Sequence, residues 1–277
     1  MAIYMIVIPA RHMYVINLIR VLYSLFFLII FSIQDYKWRE INDKLVYVFT
    51  AGSVVFFIVT LNYLIELLDP QVMLLYICFT IMISPLLTGI MYISGLMGKG
   101  DVYVTTSIGL LYTFPFTIVK PFNHGFDIMP PLLTIMIYST TLIVIFSIVN
   151  CLYNCIRNVE HLKKIPLKYR IIYMFIAKPI RIRDYIRRKY YFPLEIIDIR
   201  NGILNVSWRI NINVEKEDLD VVVNKYKELC DRQIIDPDTY IWASYGIPFI
   251  IPLTVGLIIY ILIGDAIIFN IINLNRL

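Results

Sequence analysis

Six long apolar stretches constrain the fold of this chain more than any other feature of its sequence. Most of them approach the roughly 20 residues that an α-helix needs to cross a bilayer. Only 16% of the residues are charged, against about 25% in a typical soluble domain. We therefore predict an all-α polytopic membrane protein with six transmembrane helices, at Tyr14–Gln34, Leu45–Leu64, Val72–Tyr92, Val102–Val119, Leu132–Leu152 and Ala243–Ile263.

The distribution of Lys and Arg predicts how these helices are oriented, because positive residues are enriched in cytoplasmic loops. The first loop contains Lys37, Arg39 and Lys44, whereas the second contains no Lys or Arg. The segment 153–242 contains 17 of the 25 Lys and Arg residues. We therefore expect the first loop, the third loop and this segment in the cytoplasm, with both termini outside.

The segment 153–242 is predicted to form a small α+β domain inserted before the last helix. Arg200-Asn201-Gly202 separates two β-branched runs, and Asn-Gly in this position is a strong hairpin signal. The apolar residues from Glu215 to Cys230 recur at helical spacing, and Asp236-Pro237-Asp238 predicts a turn. The expected domains are a membrane domain at 1–152, a cytoplasmic domain at 153–242, and the sixth transmembrane helix with a short tail at 243–277.

Asp35 and Asp101 lie at span ends that the predicted topology brings to the same face of the membrane. Asp35 follows a span running inwards, and Asp101 precedes a span running outwards. Ionisable residues at a membrane edge are costly and indicate a functional site. Two carboxyls about 3 Å apart share one proton near neutral pH. Such a pair can activate a water with one carboxylate and protonate a peptide carbonyl with the other carboxyl.

Both aspartates also have ordinary structural explanations. An aspartate at a helix start is a common N-cap, and Asp35 can simply mark the end of a span. Gly98 and Gly100 favour the catalytic interpretation, because glycine allows unusual backbone dihedrals or the close approach of another segment. We therefore take Asp35 and Asp101 as candidate catalytic residues, and Gly98 and Gly100 as backbone elements of their site.

Gly98-Lys99-Gly100-Asp101 resembles the signature of the GxGD aspartyl proteases. The segment from Asp35 to Asn42 is similar to the first-aspartate motif of type IV prepilin peptidases, in which Ile follows Asp after six residues and precedes Pro or Asn. The α+β insert before the last span resembles that of archaeal preflagellin peptidases. The CxxC…CxxC zinc insert that is frequent in bacterial members is absent from the sequence.

This resemblance implies a protease of the plasma membrane whose active site faces the cytoplasm. The expected partners are archaellin or type IV pilin-like precursors, from which a short class III signal peptide is cleaved after a basic residue and glycine. Methyltransferase activity is not implied. No cofactor is expected, and the four cysteines and three histidines show no metal-ligand spacing.

Three charged residues near the motifs are possible substrate-binding residues. Glu40 and Asp43 can hold the basic residue of a precursor, or they can be solvated charges that balance the first loop. Lys99 can act on the neighbouring Asp101 or face lipid headgroups. The basic segment 178–189 is interpreted as a surface for anionic lipid, and no nucleic-acid-binding motif accompanies it.

A proton-coupled transporter or channel is the alternative function, because aspartates in membrane segments also relay protons. Against it, the sequence shows no internal repeat, and neither Asp35 nor Asp101 is expected at mid-membrane, where transporter sites usually lie.

Overall fold

The computed structural model describes residues 2–65, 70–94, 97–115, 129–200, 203–210, 218–246, 248–268 and 270. The protein is mostly helical, with a small region that contains strands. The elements are α1 (Ala2–Trp38), α2 (Asp43–Leu64), α3 (Pro70–Cys78), a π-helical turn (Phe79–Ile83), α4 (Ser84–Ile93), α5 (Lys99–Leu111), α6 (Pro131–Arg157), α7 (Val159–Lys163), α8 (Leu167–Ile176), β1 (Ala177–Arg181), α9 (Ile182–Arg187), β2 (Tyr191–Pro193), β3 (Glu195–Arg200), β4 (Ile203–Trp208), α10 (Leu219–Asp231), β5 (Tyr240–Tyr245) and α11 (Ile250–Ile263).

The chain divides into two compact units. Unit 1 comprises Met1–Leu142 and Pro248–Leu277, and unit 2 comprises Ile143–Ile247. The predicted division into a membrane domain at 1–152, a cytoplasmic domain at 153–242 and a last segment at 243–277 stays a prediction.

Among the described residues, four helices are long and apolar enough to cross a membrane. They are Tyr14–Trp38, Asp43–Asn62, Met73–Ile93 and Pro131–Arg157. These four overlap the first, second, third and fifth predicted spans. The fourth predicted span overlaps α5, which has 13 residues, and its last residues, 116–119, lie outside the described residues.

The third span contains a π-helical turn immediately before Ser84 and Pro85. Proline removes a backbone donor, and a local π adjustment is one way in which a membrane helix accommodates it. The span therefore continues through Pro85, as its predicted bounds of Val72–Tyr92 require.

The predicted start of the last span is wrong. Residues from Ala243 to Tyr245 belong to β5, and α11 begins only at Ile250. Tyr240, Ile241 and Trp242 favour a strand, and β5 is held on both sides by antiparallel neighbours in the order β1-β5-β2. The helix that follows has 14 residues and is shorter than the four candidate spans.

Unit 2 confirms the local predictions made for its elements. Strands β3 and β4 pair in an antiparallel register that opposes Arg200 and Ile203, and the predicted turn at Asn201-Gly202 lies outside the described residues. Helix α10 is capped by Asp218, whose side chain accepts from the backbone N–H groups of Asp220 and Val221. The turn at Asp236 is closed by its carbonyl, which accepts from Thr239 N at 2.9 Å.

Unit 1 packs α1, α2, α5, α6 and α11 around one apolar core. An aromatic cluster joins α1 to α2, with the rings of Tyr23 and Phe49 stacked at 5.7 Å. Helix α11 approaches α6 closely at Gly256, where a Cβ atom would lie 2.7 Å from the backbone oxygen of Ile135. Small residues at helix contacts allow this close packing in membrane proteins.

Candidate active site

Asp35 lies in the last turn of α1 and is buried, with 8% of its surface exposed. Its Oδ2 atom accepts a hydrogen bond from the backbone N–H of Ile250, the first residue of α11, at 3.3 Å. The positive charge of Arg39 also acts favourably on the carboxylate. Arg39 has a φ of 58°, in the left-handed region, and directly follows the end of α1 at Trp38.

Asp101 is the third residue of α5 and is half-buried. Its Oδ2 atom accepts from the backbone N–H of Gly98, which is the N-cap residue of the same helix, at 3.1 Å. This bond satisfies one of the backbone donors that precede a helix. Asp101 therefore has the structural role of a helix cap, which does not exclude a catalytic one.

Neither glycine of the motif requires unusual dihedrals. Gly98 has φ −77° and ψ 162°, which any residue adopts, and Gly100 is helical. Gly100 lies against Ile41, and a Cβ atom at this position would be in ordinary van der Waals contact with Cδ1 of Ile41, at 3.4 Å. The contact connects the loop after α1 to the first turn of α5.

The contacts between α1 and α5 show that the two helices are antiparallel neighbours. Arg20, near the middle of α1, donates to the carbonyl of Leu111 at the end of α5, whereas the loop after α1 contacts Gly100 at its start. With a rise of 1.5 Å per residue, Asp35 lies about 22 Å along α1 from Arg20, and Asp101 lies about 15 Å along α5 from Leu111. Both acids therefore lie toward the same end of this helix pair.

The loop between α1 and α2 is held at this end by its own side chains. The amide oxygen of Gln34 accepts from Asn42 N at 3.0 Å. The Asn42 side chain in turn caps α2 by accepting from Lys44 N at 3.0 Å and Leu45 N at 3.4 Å. The six-residue step from Asp35 to Ile41 is thus a fixed piece of structure that ends against Gly100.

Two family models match the chain. The model described as type IV leader peptidase family matches residues 22–152, which include both Asp35 and Asp101. The model described as Archaeal Peptidase A24 C-terminus Type II matches residues 169–266. The chain is a prepilin/preflagellin peptidase-like protein. A search of the curated proteins found no match.

The two matches support a protease, the apolar helices support a membrane protein, and the type IV leader peptidase model suggests cleavage of signal peptides from prepilin-like precursors. The matches favour the peptidase interpretation over the transporter alternative.

The predicted substrate-binding residues of this peptidase-like protein are all exposed. Glu40 lies in the loop after α1, Asp43 is the first residue of α2, and Lys99 is the first residue of α5. A carboxylate in the first turn of a helix is stabilised by the helix dipole, so Asp43 has a structural explanation as well. All three lie at the end of the helices where Asp35 and Asp101 lie.

Arg20 is the residue that the sequence analysis missed in the membrane unit. It lies inside the first span and is 1% exposed, and its guanidinium lies 4.8 Å from the ring centre of Tyr112. The Tyr112 hydroxyl also lies 2.8 Å from Ser24 Oγ. An arginine within an apolar span is costly and was a visible signal in the sequence. The Ile250 donor gave no such signal, because it is a backbone N–H.

Among the residues that the structure describes, no group of three or more His, Cys, Asp or Glu side chains is arranged to hold a metal ion. All four cysteines are free thiols.

Proposed function

We propose that this protein is a GxGD-type aspartic endopeptidase that removes class III signal peptides from archaellin or type IV pilin-like precursors. Asp35 and Asp101 are its catalytic pair, and its site faces the cytoplasm. The observation that carries the proposal is the antiparallel pairing of α1 and α5, because the ends that bear the two acids are also joined by the contact of Ile41 with Gly100. The family matches support the reaction class.

The reaction begins with one carboxylate and one protonated carboxyl sharing the site. The carboxylate removes a proton from a water, whose oxygen attacks the carbonyl carbon of the scissile peptide bond. The protonated carboxyl donates its proton to the carbonyl oxygen, which gives a neutral gem-diol. When the C–N bond breaks, the carboxyl that took the water proton donates it to the leaving nitrogen. One hydroxyl of the gem-diol gives its proton to the other carboxylate, which restores the starting state of the pair. The products are a carboxyl terminus and an amine.

Substrate recognition uses the exposed acids at the same end of the helices. Glu40 and Asp43 attract the basic residue that precedes the cleaved glycine junction, and their exposure leaves them accessible to a precursor. Lys99 and the basic segment 178–189 face anionic lipid headgroups, where each cation contributes on the order of 1 kcal/mol. The two exposed acids would hold a cationic leader near Asp35 and Asp101 while its apolar segment stays in the membrane.

The test is cleavage of a panel of archaellin and pilin precursors by the purified protein in nanodiscs. Asp35→Asn and Asp101→Asn should each lower the rate by at least about 10²-fold, the usual contribution of a general acid or base. Asparagine keeps the shape of the side chain and an acceptor oxygen for the Ile250 or Gly98 amide.

Asp231→Asn, at an exposed position at the end of α10, is the matched control and should cleave like the wild type. Thermal melts should show that all three variants are folded. A wild-type cleavage rate in either the Asp35→Asn or the Asp101→Asn variant would contradict the proposed mechanism. Proton flux across the membrane without peptide cleavage would favour the transporter alternative.

A further inference from the structure

The hydrogen bond on Asp35 comes from a distant part of the chain. Its donor is the backbone N–H of Ile250, 215 positions away in sequence, and both residues are buried in the core of unit 1. In the described part of the chain, this is the only hydrogen bond to the carboxylate, and it goes to Oδ2. The Oδ1 atom therefore keeps its capacity to accept a proton from water.

A second contact holds α11 against α1 near the Asp35–Ile250 hydrogen bond. Ser32 Oγ lies 2.9 Å from Thr254 Oγ1. The Thr254 hydroxyl donates to the carbonyl of Ile250 at 2.8 Å, so Ser32 is the donor to Thr254. Ser32 precedes Asp35 by three residues and Thr254 follows Ile250 by four, which puts each pair on one face of its helix.

A backbone donor at the start of a helix is well suited to orienting a carboxylate. It cannot rotate away as a side chain can, and the first turn of a helix carries a partial positive charge that favours an anion. Holding one carboxylate oxygen limits rotation about the Cβ–Cγ bond of Asp35. Orientation of a reacting group can contribute a large part of a rate acceleration.

We propose that the first turn of α11 positions Asp35 for catalysis. The Ile250 N–H fixes the carboxylate through Oδ2, and the Ser32–Thr254 contact keeps this turn in register with α1. Ile250 is a positioning residue that acts through Asp35 and does not touch the substrate. This inference rests on the proposed aspartic peptidase function.

The test replaces the Ile250 N–H by an ester oxygen, through incorporation of the α-hydroxy acid analogue of isoleucine in cell-free translation into nanodiscs. The side chain stays the same and the N–H donor is removed; the ester also makes the preceding carbonyl a weaker acceptor, and an ester at a neighbouring position shares that change. A proline would be a poorer test, because Phe249 has the helical φ of −67° and ψ of −32° that a following proline disfavours. The control is the same ester at Ile251, whose amide does not donate to Asp35.

The ester at position 250 should lower kcat for a precursor about tenfold, which corresponds to one lost hydrogen bond to a charged group. KM should change less than about twofold, because the substrate does not contact this amide. The ester at position 251 should keep kcat within about twofold of the wild type. Melting temperatures should agree between the two esters.

Equal kcat values for the two esters would overturn the positioning role. A higher KM with an unchanged kcat for the ester at position 250 would overturn it as well. These outcomes differ from failure of the proposed function, in which the unmodified protein would cleave no precursor or Asp35→Asn would cleave normally. With a cleaving wild type and an inactive Asp35→Asn variant, the ester pair tests the α11 contribution by itself.

Discussion

Replacing Glu195 by glutamine is expected to stabilise unit 2 in a strongly pH-dependent way. Glu195 is the first residue of β3, and its Oε2 atom accepts from Trp242 N of β5 at 3.2 Å. Burial raises the pKa of Glu195 from 4.5 to about 7, against the opposing effects of the Trp242 amide and the positive charge of Lys164. The half-buried carboxyl thus joins the sheet of β3 to the sheet of β5.

The sign follows from proton binding in the two states. Between pH 4.5 and 7 the folded protein binds a proton at Glu195 that the unfolded chain has lost, so the free energy of unfolding falls as the pH rises. Above pH 7 the folded protein holds Glu195 as a carboxylate, and this lowers the free energy of unfolding by at most about 3 kcal/mol, the equivalent of the pKa shift. Below pH 4.5 the cost is less than about 0.5 kcal/mol.

Glutamine keeps an oxygen acceptor for the Trp242 amide but cannot ionise. Glu195→Gln should therefore raise the melting temperature of unit 2 by at least about 5 °C at pH 8, and by little at pH 4.5. Intrinsic fluorescence reports on this unit, because Trp208 and Trp242 each lie 6.0 Å from the ring of Tyr173 in its core.

Glu228→Gln is the matched control for this variant. Glu228 is exposed and pairs with Arg232 one helical turn away, an interaction worth under about 0.5 kcal/mol. Its removal should change the melting temperature little at either pH. If Glu195→Gln changed the melting temperature equally at pH 4.5 and pH 8, or left it unchanged at pH 8, the predicted effect of the buried carboxylate would be refuted.

Two further predictions concern the membrane unit. Gly256→Ala should destabilise the membrane unit by about 1–3 kcal/mol, because the new Cβ would meet the backbone oxygen of Ile135. Gly89→Ala is the control and should not lower the melting temperature, because no neighbouring atom lies within 4 Å of its Cβ. Equal melting temperatures of the two variants would contradict this prediction. The double variant Glu40→Gln/Asp43→Asn should raise KM about tenfold for precursors with a basic residue before glycine and leave unchanged the KM of precursors with glutamine there. The same KM change for both precursor types would exclude charge recognition.

Features that depend on local chemistry could be predicted from the sequence. The four candidate spans follow from apolar length alone, and the β3–β4 hairpin follows from Asn201-Gly202 between two β-branched runs. The cap of α10 follows from an aspartate before an amphipathic run, although the helix begins at Leu219 rather than at Glu215. Each of these depends on residues that are close together in the chain.

Features that depend on distant partners could not be predicted in the same way. The apolar segment from Ala243 reads as helix, yet it forms a strand because β1 and β2 offer partners on both sides. Gly100 was expected to allow unusual dihedrals or the close approach of another segment; it is helical, and the residue that lies against it is Ile41. A sequence gives the identity of a glycine but not the atom that will lie against it.

The spacing of the first-aspartate motif now has a physical explanation. Asp35 lies in the last turn of α1, Ile41 contacts Gly100 six residues later, and Asn42 caps α2. The six-residue spacing therefore connects the end of α1 to the start of α5 through Ile41. The Ile250 amide connects the end of α1 to the start of α11 through Asp35. The proposed site combines three helix ends and depends on tertiary packing for its geometry, which is why its two acids are visible in the sequence while the proposed positioning element is not.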